Sequence, residues 1–200
     1  MMTQASSRYT KTAVILHWLI ALFLVVLFVL GWFMSDIPKE APKQTVFDIL
    51  DLGIYKWQVA EEISPRAFYF NLHKSLGVTI FGLILFRILW RITHRPPAPL
   101  ASYKPIERKI AAATHHSLYL FMLAIPVTGL VMGLYSKFGV KWFGLPFLPG
   151  LDNNGIREVF EEAHELVGIV LLALVALHVI GAIKHKMIDK DETLQRMSLK

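Results

Sequence analysis

The sequence predicts an all-α membrane protein, a bundle of four transmembrane helices with both termini on the cytoplasmic side. Three observations carry this. Of the 200 residues, 54% are hydrophobic and only 18% charged, where a soluble domain carries about a quarter charged residues. The apolar residues are gathered into four long runs, and the charges between those runs are unequally divided. The same composition excludes a disordered chain. There are no cysteines, which removes disulfides, iron–sulfur ligation, covalent haem attachment and thiol chemistry together, and leaves eight histidines as the soft-nitrogen ligands.

The first span, residues 12–35, has no Lys, Arg, Asp or Glu in 24 residues, and the third, 110–136, has none in 27. Each can cross a hydrocarbon core of about 30 Å at about 1.5 Å per residue. The second, 68–92, carries Lys74 early and Arg87 and Arg91 late. The fourth, 156–183, confines Glu158, Glu161, Glu162 and Glu165 to its first turns. The first apolar stretch exceeds the roughly 7–15 residues of a signal-peptide core and no small-residue cleavage site follows, so it is expected to remain as an anchor.

The net charge of +6 conceals an asymmetry. The N-terminal segment, residues 87–109 and the tail from 184 together hold thirteen cations and four acids, a net +9. They are Arg8, Lys11, Arg87, Arg91, Arg95, Lys104, Arg108, Lys109, Lys184, Lys186, Lys190, Arg196 and Lys200, against Glu107, Asp189, Asp191 and Glu192. The opposite side nets −3. The positive-inside rule therefore puts both termini and the second loop in the cytoplasm. The basicity is a topology signal, and a basic, aromatic-interleaved face for nucleic acid is absent.

The whole chain, 1–200, reads as one integral-membrane domain. Between spans two and three, prolines 96, 97, 99 and 105 punctuate a short stiff turn. The external loop, 36–67, has an amphipathic pattern at Val46, Phe47, Leu50, Ile54, Tyr55 and Val59 that predicts a short interfacial helix. Residues 137–155 carry Trp142, Phe143 and Phe147 and are expected at the membrane interface.

Histidines inside spans are expensive and mark function. His17 lies near the cytoplasmic start of span one, His73 near the external start of span two, and span four carries His164 at its external end and His178 well inside. Fourteen residues at about 100° each return within about 40° of whole turns, with a rise of about 21 Å, so His164 and His178 share a face in opposite leaflets. At matching depths, His178 pairs with His17 and His164 with His73. Two bis-imidazole sites, one per leaflet, suit two non-covalent low-spin haems b engaged in electron transfer. Interhelical hydrogen bonding would require no such register. Zinc would gather three or four ligands at one depth. Gly77 and Gly168 each stand four residues after an external histidine, where absence of a side chain would admit a macrocycle. His115, in His115-His116-Ser-Leu-Tyr119, is a candidate partner for a haem propionate. His185, two turns beyond His178, is placed to meet a quinone carbonyl, and flanking Lys184 and Lys186 to meet lipid phosphates.

Taken in order, these residues resemble the bacterial cytochrome b561 family. The likeness runs through Tyr9-Thr-Lys, Leu16-His17-Trp18, Leu72-His73 with Gly77, and Arg87 with Arg91. It continues in His115 and Tyr119, Ala124-Ile-Pro-Val-Thr-Gly-Leu130, His164-Glu165 with Gly168, His178, and the tail His185 with Lys190-Asp-Glu-Thr-Leu194 and Arg196-Met197. Cytochrome b subunits of hydrogenases and formate dehydrogenases look similar at the four ligand positions. The resemblance implies a diheme four-helix bundle, with the inner haem on His17 and His178, the outer on His73 and His164, and ubiquinone at His185. It further implies oxidation of superoxide to oxygen at the periplasmic face, with Lys74 beside a haem ligand to guide the anion, and reduction of ubiquinone near the cytoplasmic face. The long external segment with Asp48, Asp51, Glu61 and Glu62 departs from that pattern, since it repels an anion, and suits a periplasmic dehydrogenase or redox partner as alternative donor.

Overall fold

Four long helices form over the apolar runs in a computed structural model that describes residues 8–100 and 102–199. Lys200, counted above among the cytoplasmic cations, lies outside the described residues. Helix α1 (Lys11–Ser35) begins where Thr10 Oγ1 accepts the Ala13 amide at 3.2 Å. Helix α2 (Pro65–Thr93) begins on a Ser64 cap with Pro65 at its first turn, and α3 (Pro105–Leu134) on Pro105, with Glu107 Oε2 accepting the Lys104 amide at 3.0 Å. Helix α4 (Asn154–Lys184) begins on an Asn153 cap. Caps and first-turn prolines set these starts upstream of the apolar runs that reveal the spans. All four helices are long and apolar enough to cross a membrane.

Ile15, Trp18, Leu22, Val25, Val29 and Trp32, spaced alternately by three and four, are exposed along one side of α1. An exposed apolar stripe of this length has lipid as its solvent. On the inward side Ile20 joins Ile80 and Ile84 of α2, Leu118 and Met122 of α3 and Leu171 of α4 in the central core. Leu171 lies midway along α4 between His164 and His178, so this core separates the two histidine levels. Helix α1 packs on α2, α2 on α3 and α3 on α4, whereas α1 with α4 and α2 with α4 are not among the closely packed pairs.

The external loop corrects the sequence reading. In place of an interfacial helix it forms an antiparallel hairpin of β1 (Gln44–Asp48) and β2 (Lys56–Ile63), with Phe47 opposite Trp57. The apolar spacing mimicked a helical period, but the turn is made by Leu50 (φ 57°), Asp51 (φ 54°) and Gly53 (φ 70°) in left-handed backbone, closed by the Asp48 carboxylate accepting the Gly53 amide at 2.9 Å. Phe47 is buried and stacks on Phe68 at 4.1 Å. The Tyr69 hydroxyl donates to Asp48 O at 2.6 Å and accepts the Leu50 amide at 3.2 Å.

A second hairpin, β3 (Val140–Trp142) and β4 (Leu145–Leu148), lies against α2. Its Phe143 amide donates to Ser75 Oγ at 2.9 Å and Trp142 Nε1 to Thr79 Oγ1 at 3.0 Å. At the other end, α4 runs into a π-helical turn, His185–Asp189, and the tail folds back across the bundle. There Trp18 Nε1 donates to Met197 O at 3.0 Å and Arg196 Nη1 to Ala98 O at 2.7 Å.

Candidate functional site

The helices bring the histidines together at two depths. His17 of α1 and His178 of α4 have ring centroids 6.1 Å apart with planes at 77°. His73 of α2 and His164 of α4 are 6.4 Å apart at 80°. Both pairs bridge helices that are not among the closely packed pairs, so at these two depths the imidazoles meet across a wide backbone separation.

The outer pair is held from outside the gap. His164 Nδ1 donates to Ile125 O at 3.0 Å, with Thr128 Oγ1 at 3.1 Å, which fixes the ring and leaves its other nitrogen as the ligating atom. His73 Nδ1 is buried without a hydrogen-bond partner among the described residues, an orphaned polar atom of the kind that a bound group would satisfy. Two glycines that the sequence reading did not assign to the site flank this pair. A Cβ at Gly129 would stand 3.0 Å from His164 Cε1, and one at Gly31 3.5 Å from His73 Cε1. The only available signal for Gly31 was its being the sole glycine of the first span. Of the two glycines singled out from sequence, Gly77 faces open space, and Gly168 meets Ile125 and Phe28 at ordinary distances.

At the inner level His115 is a third imidazole, 5.4 Å from His178. It opens toward a cleft of about 350 Å³ between α2 and α3, lined also by Arg91, His116 and Tyr119. Lys74, next to His73, donates to Gly139 O at 2.8 Å and so ties α2 to the second external loop. His185 lies beyond the inner pair, bonded through Nδ1 to Asp191.

A family model described as prokaryotic cytochrome b561 matches residues 8–199. This chain belongs to the cytochrome b561 family. Among its relatives, cytochrome b561 homolog 2 of Escherichia coli (strain K12) is 33% identical over 201 residues, covering 98% of this chain and 93% of that protein. Cytochrome b561 homolog 1 of the same organism is 25% identical over 196 residues, with 96% and 97% covered. A protein named "Probable superoxide oxidase CybB" of Yersinia pestis is 25% identical over 194 residues, with 95% of each chain covered. Membership makes this a haem-binding, multi-pass membrane protein of electron transport.

The histidine pairs fit such a group. At the roughly 2 Å of a metal–imidazole bond, two imidazoles on opposite sides of one ion have ring centroids about 6 Å apart. The 6.1 and 6.4 Å separations meet that spacing, and the 5.4 Å between His115 and His178 falls short of it.

Proposed function

We propose that this cytochrome b561 carries electrons across the bacterial inner membrane through two bis-histidine haems b, His73 and His164 holding the outer and His17 and His178 the inner. The observation that carries this is the repetition of one imidazole spacing at two depths, in both cases between helices kept apart. Haem b supplies a one-electron couple when bound, and a six-coordinate site with two fixed nitrogens favours electron transfer over oxygen binding. The chain's own part is to fix the rings: Ile125 O and Thr128 orient His164, and the core around Leu171 excludes water between the levels.

The reaction we assign is oxidation of superoxide at the periplasmic face and reduction of ubiquinone near the cytoplasmic face. Two superoxide anions, one quinone and two protons give two molecules of oxygen and one quinol. The relative named as a probable superoxide oxidase supports this reading, as do exposed Lys141 in the second hairpin and Lys137 beside it. Lys74 is bound to Gly139 O, and its part is to hold that hairpin over the outer site as well as to add positive potential. His185 is placed to give the quinone carbonyl its proton. One observation favours a periplasmic protein donor as the second reading: the first hairpin presents Leu52, Ile54 and Tyr55 exposed, Ile54 at 82%, beside the acids Asp51, Glu61 and Glu62.

The purified protein is expected to show a reduced haem b spectrum with two haems per chain. His73→Ala and His164→Ala are each expected to lose one haem and keep the other, and rapid mixing with superoxide to reduce the wild type at near-diffusional rate. Retention of both haems in either variant refutes the pairing. Haems that stay oxidised in superoxide refute the donor.

A further inference from the structure

Beyond the inner histidines the tail builds a polar cluster that haem binding does not use. Lys190 takes left-handed backbone (φ 52°), the chain reverses, and the Asp191 amide donates to His185 O at 3.1 Å. The reversal sets the Asp191 carboxylate on the imidazole: Oδ2 accepts from His185 Nδ1 at 2.7 Å, and Oδ1 accepts the Thr193 amide at 2.9 Å. Thr193 Oγ1 shares a 2.6 Å hydrogen bond with the Tyr103 hydroxyl. The Tyr103 ring in turn lies on the His185 ring, centroids 4.7 Å apart at 25°. The side chains of His185 and Asp191 are only 15% and 11% exposed. The chain reversal that follows His185 and the distant Tyr103 therefore converge on one imidazole, occupying its Nδ1 and one ring face.

We propose that Asp191 is the positioning residue of the quinone-reducing end, holding the His185 Nδ1–H so that Nε2 is the nitrogen presented to the quinone carbonyl. This rests on the reading of His185 as the quinone-facing group. Burial works to raise the Asp191 carboxyl, but hydrogen bonds from Thr193 and His185 outweigh it and hold the group below the usual carboxylate range. At neutral pH it is an acceptor only, so the hydrogen it shares with His185 belongs to Nδ1. Asp189 also faces the ring, Oδ2 at 3.1 Å from Nδ1, but Lys184 meets it at 2.6 Å and bridges to Glu107 at 2.9 Å. Tyr103 covers the ring face, with Arg196 and Tyr9 in electrostatic reach of its hydroxyl. Of the two carboxylates, Asp191 is thus the closer acceptor on His185 Nδ1.

Quinone takes two electrons and two protons to become quinol. In its imidazolium form His185 gives the Nε2 proton to the reduced carbonyl oxygen and is left as the neutral Nδ1–H imidazole, which Asp191 keeps in place while water on the cytoplasmic side re-protonates Nε2. A second cycle delivers the second proton. A buried carboxylate that holds one imidazole nitrogen while the other transfers protons is a division of labour known from hydrolytic triads.

The test uses the purified, haem-loaded full chain, reduced with dithionite and mixed with a short-chain ubiquinone, reoxidation being followed at the haem absorbance between about pH 5 and 9. Asp191→Asn keeps the shape and loses the charge. It is expected to slow reoxidation about tenfold at neutral pH, because a neutral amide is a weaker acceptor for the Nδ1–H and holds the ring less firmly. Asp191→Glu, which keeps the charged acceptor, is expected to restore most of the wild-type rate. A readout independent of turnover is nitrogen NMR of labelled histidine, with the His185 signals assigned by their loss in His185→Gln. Wild type is expected to carry the hydrogen on Nδ1, and Asp191→Ala to carry it on Nε2. A wild-type rate in Asp191→Asn, or Nδ1–H retained in Asp191→Ala, overturns the proposal while leaving the quinone reading intact. A wild type that passes no electrons to ubiquinone, or a His185→Gln that passes them at the wild-type rate, defeats the quinone reading itself and this proposal with it.

Discussion

A single methyl group separates the two glycines that flank the outer histidine pair. At Gly129 it would stand 3.0 Å from His164 Cε1 and 3.2 Å from Nδ1, tighter than ordinary contact, on a ring already tied to Ile125 O at 3.0 Å. At Gly31 it would meet His73 Cε1 at 3.5 Å, an ordinary distance. Gly129→Ala is therefore expected to turn His164 off its carbonyl and lose most of the outer haem, while Gly31→Ala keeps two haems per chain. Haem-to-protein ratios of the two variants, measured beside the wild type, check this. Equal haem content in both would show that the ring tolerates the crowding. The pairing of His17 with His178 and of His73 with His164 was legible because the spacing of two histidines along one helix is a local, periodic quantity. Gly129 and Gly31 were not, because each acts across the bundle on a residue of another helix.

The elements differ in how far local pattern determines them. The spans are legible from hydropathy, whereas their starts are set by caps at Thr10, Ser64 and Asn153 that the apolar runs do not reveal. The first external hairpin depends on Leu50 as well as Asp51 adopting positive φ, a conformation that Asp accepts but Leu does not favour, and on Phe47 and Tyr69 meeting across the fold. The tail behaves alike, since only the π-helical turn and the left-handed Lys190 carry Asp191 back to His185. The hairpin's attachment rests on Phe47, 1% exposed and stacked on Phe68 at 4.1 Å. Phe47→Ala is expected to cost the hairpin about 3–5 kcal/mol of anchoring. It should appear as rapid proteolysis within residues 44–63 of membranes opened to the external face, with the inner haem spectrum unchanged. A hairpin as protease-resistant as the wild type would mean that the Tyr69 hydrogen bonds suffice to hold it.

At the scale of the whole molecule, the proposed chemistry requires a direction. Protons are to be taken up where His185, Asp191 and the tail lie, and the anion is to arrive where the two hairpins lie, so the +9 end must face the cytoplasm and the −3 end the periplasm. The histidine pairs are indifferent to this, because two like sites in series conduct either way. Only the charge distribution and the placement of His185 distinguish the faces. The cysteine-free sequence makes the orientation directly measurable, since any thiol introduced is the only one in the chain. In intact cells with a permeable outer membrane, Lys137→Cys, beside the second hairpin, is expected to react with a membrane-impermeant maleimide. Glu192→Cys, in the exposed tail, is expected to react only after the inner membrane is opened. The reverse pattern would put the quinone-facing histidine outside, where its protons would come from the periplasm, and would overturn the direction of electron flow together with the assignment of superoxide to the hairpin face.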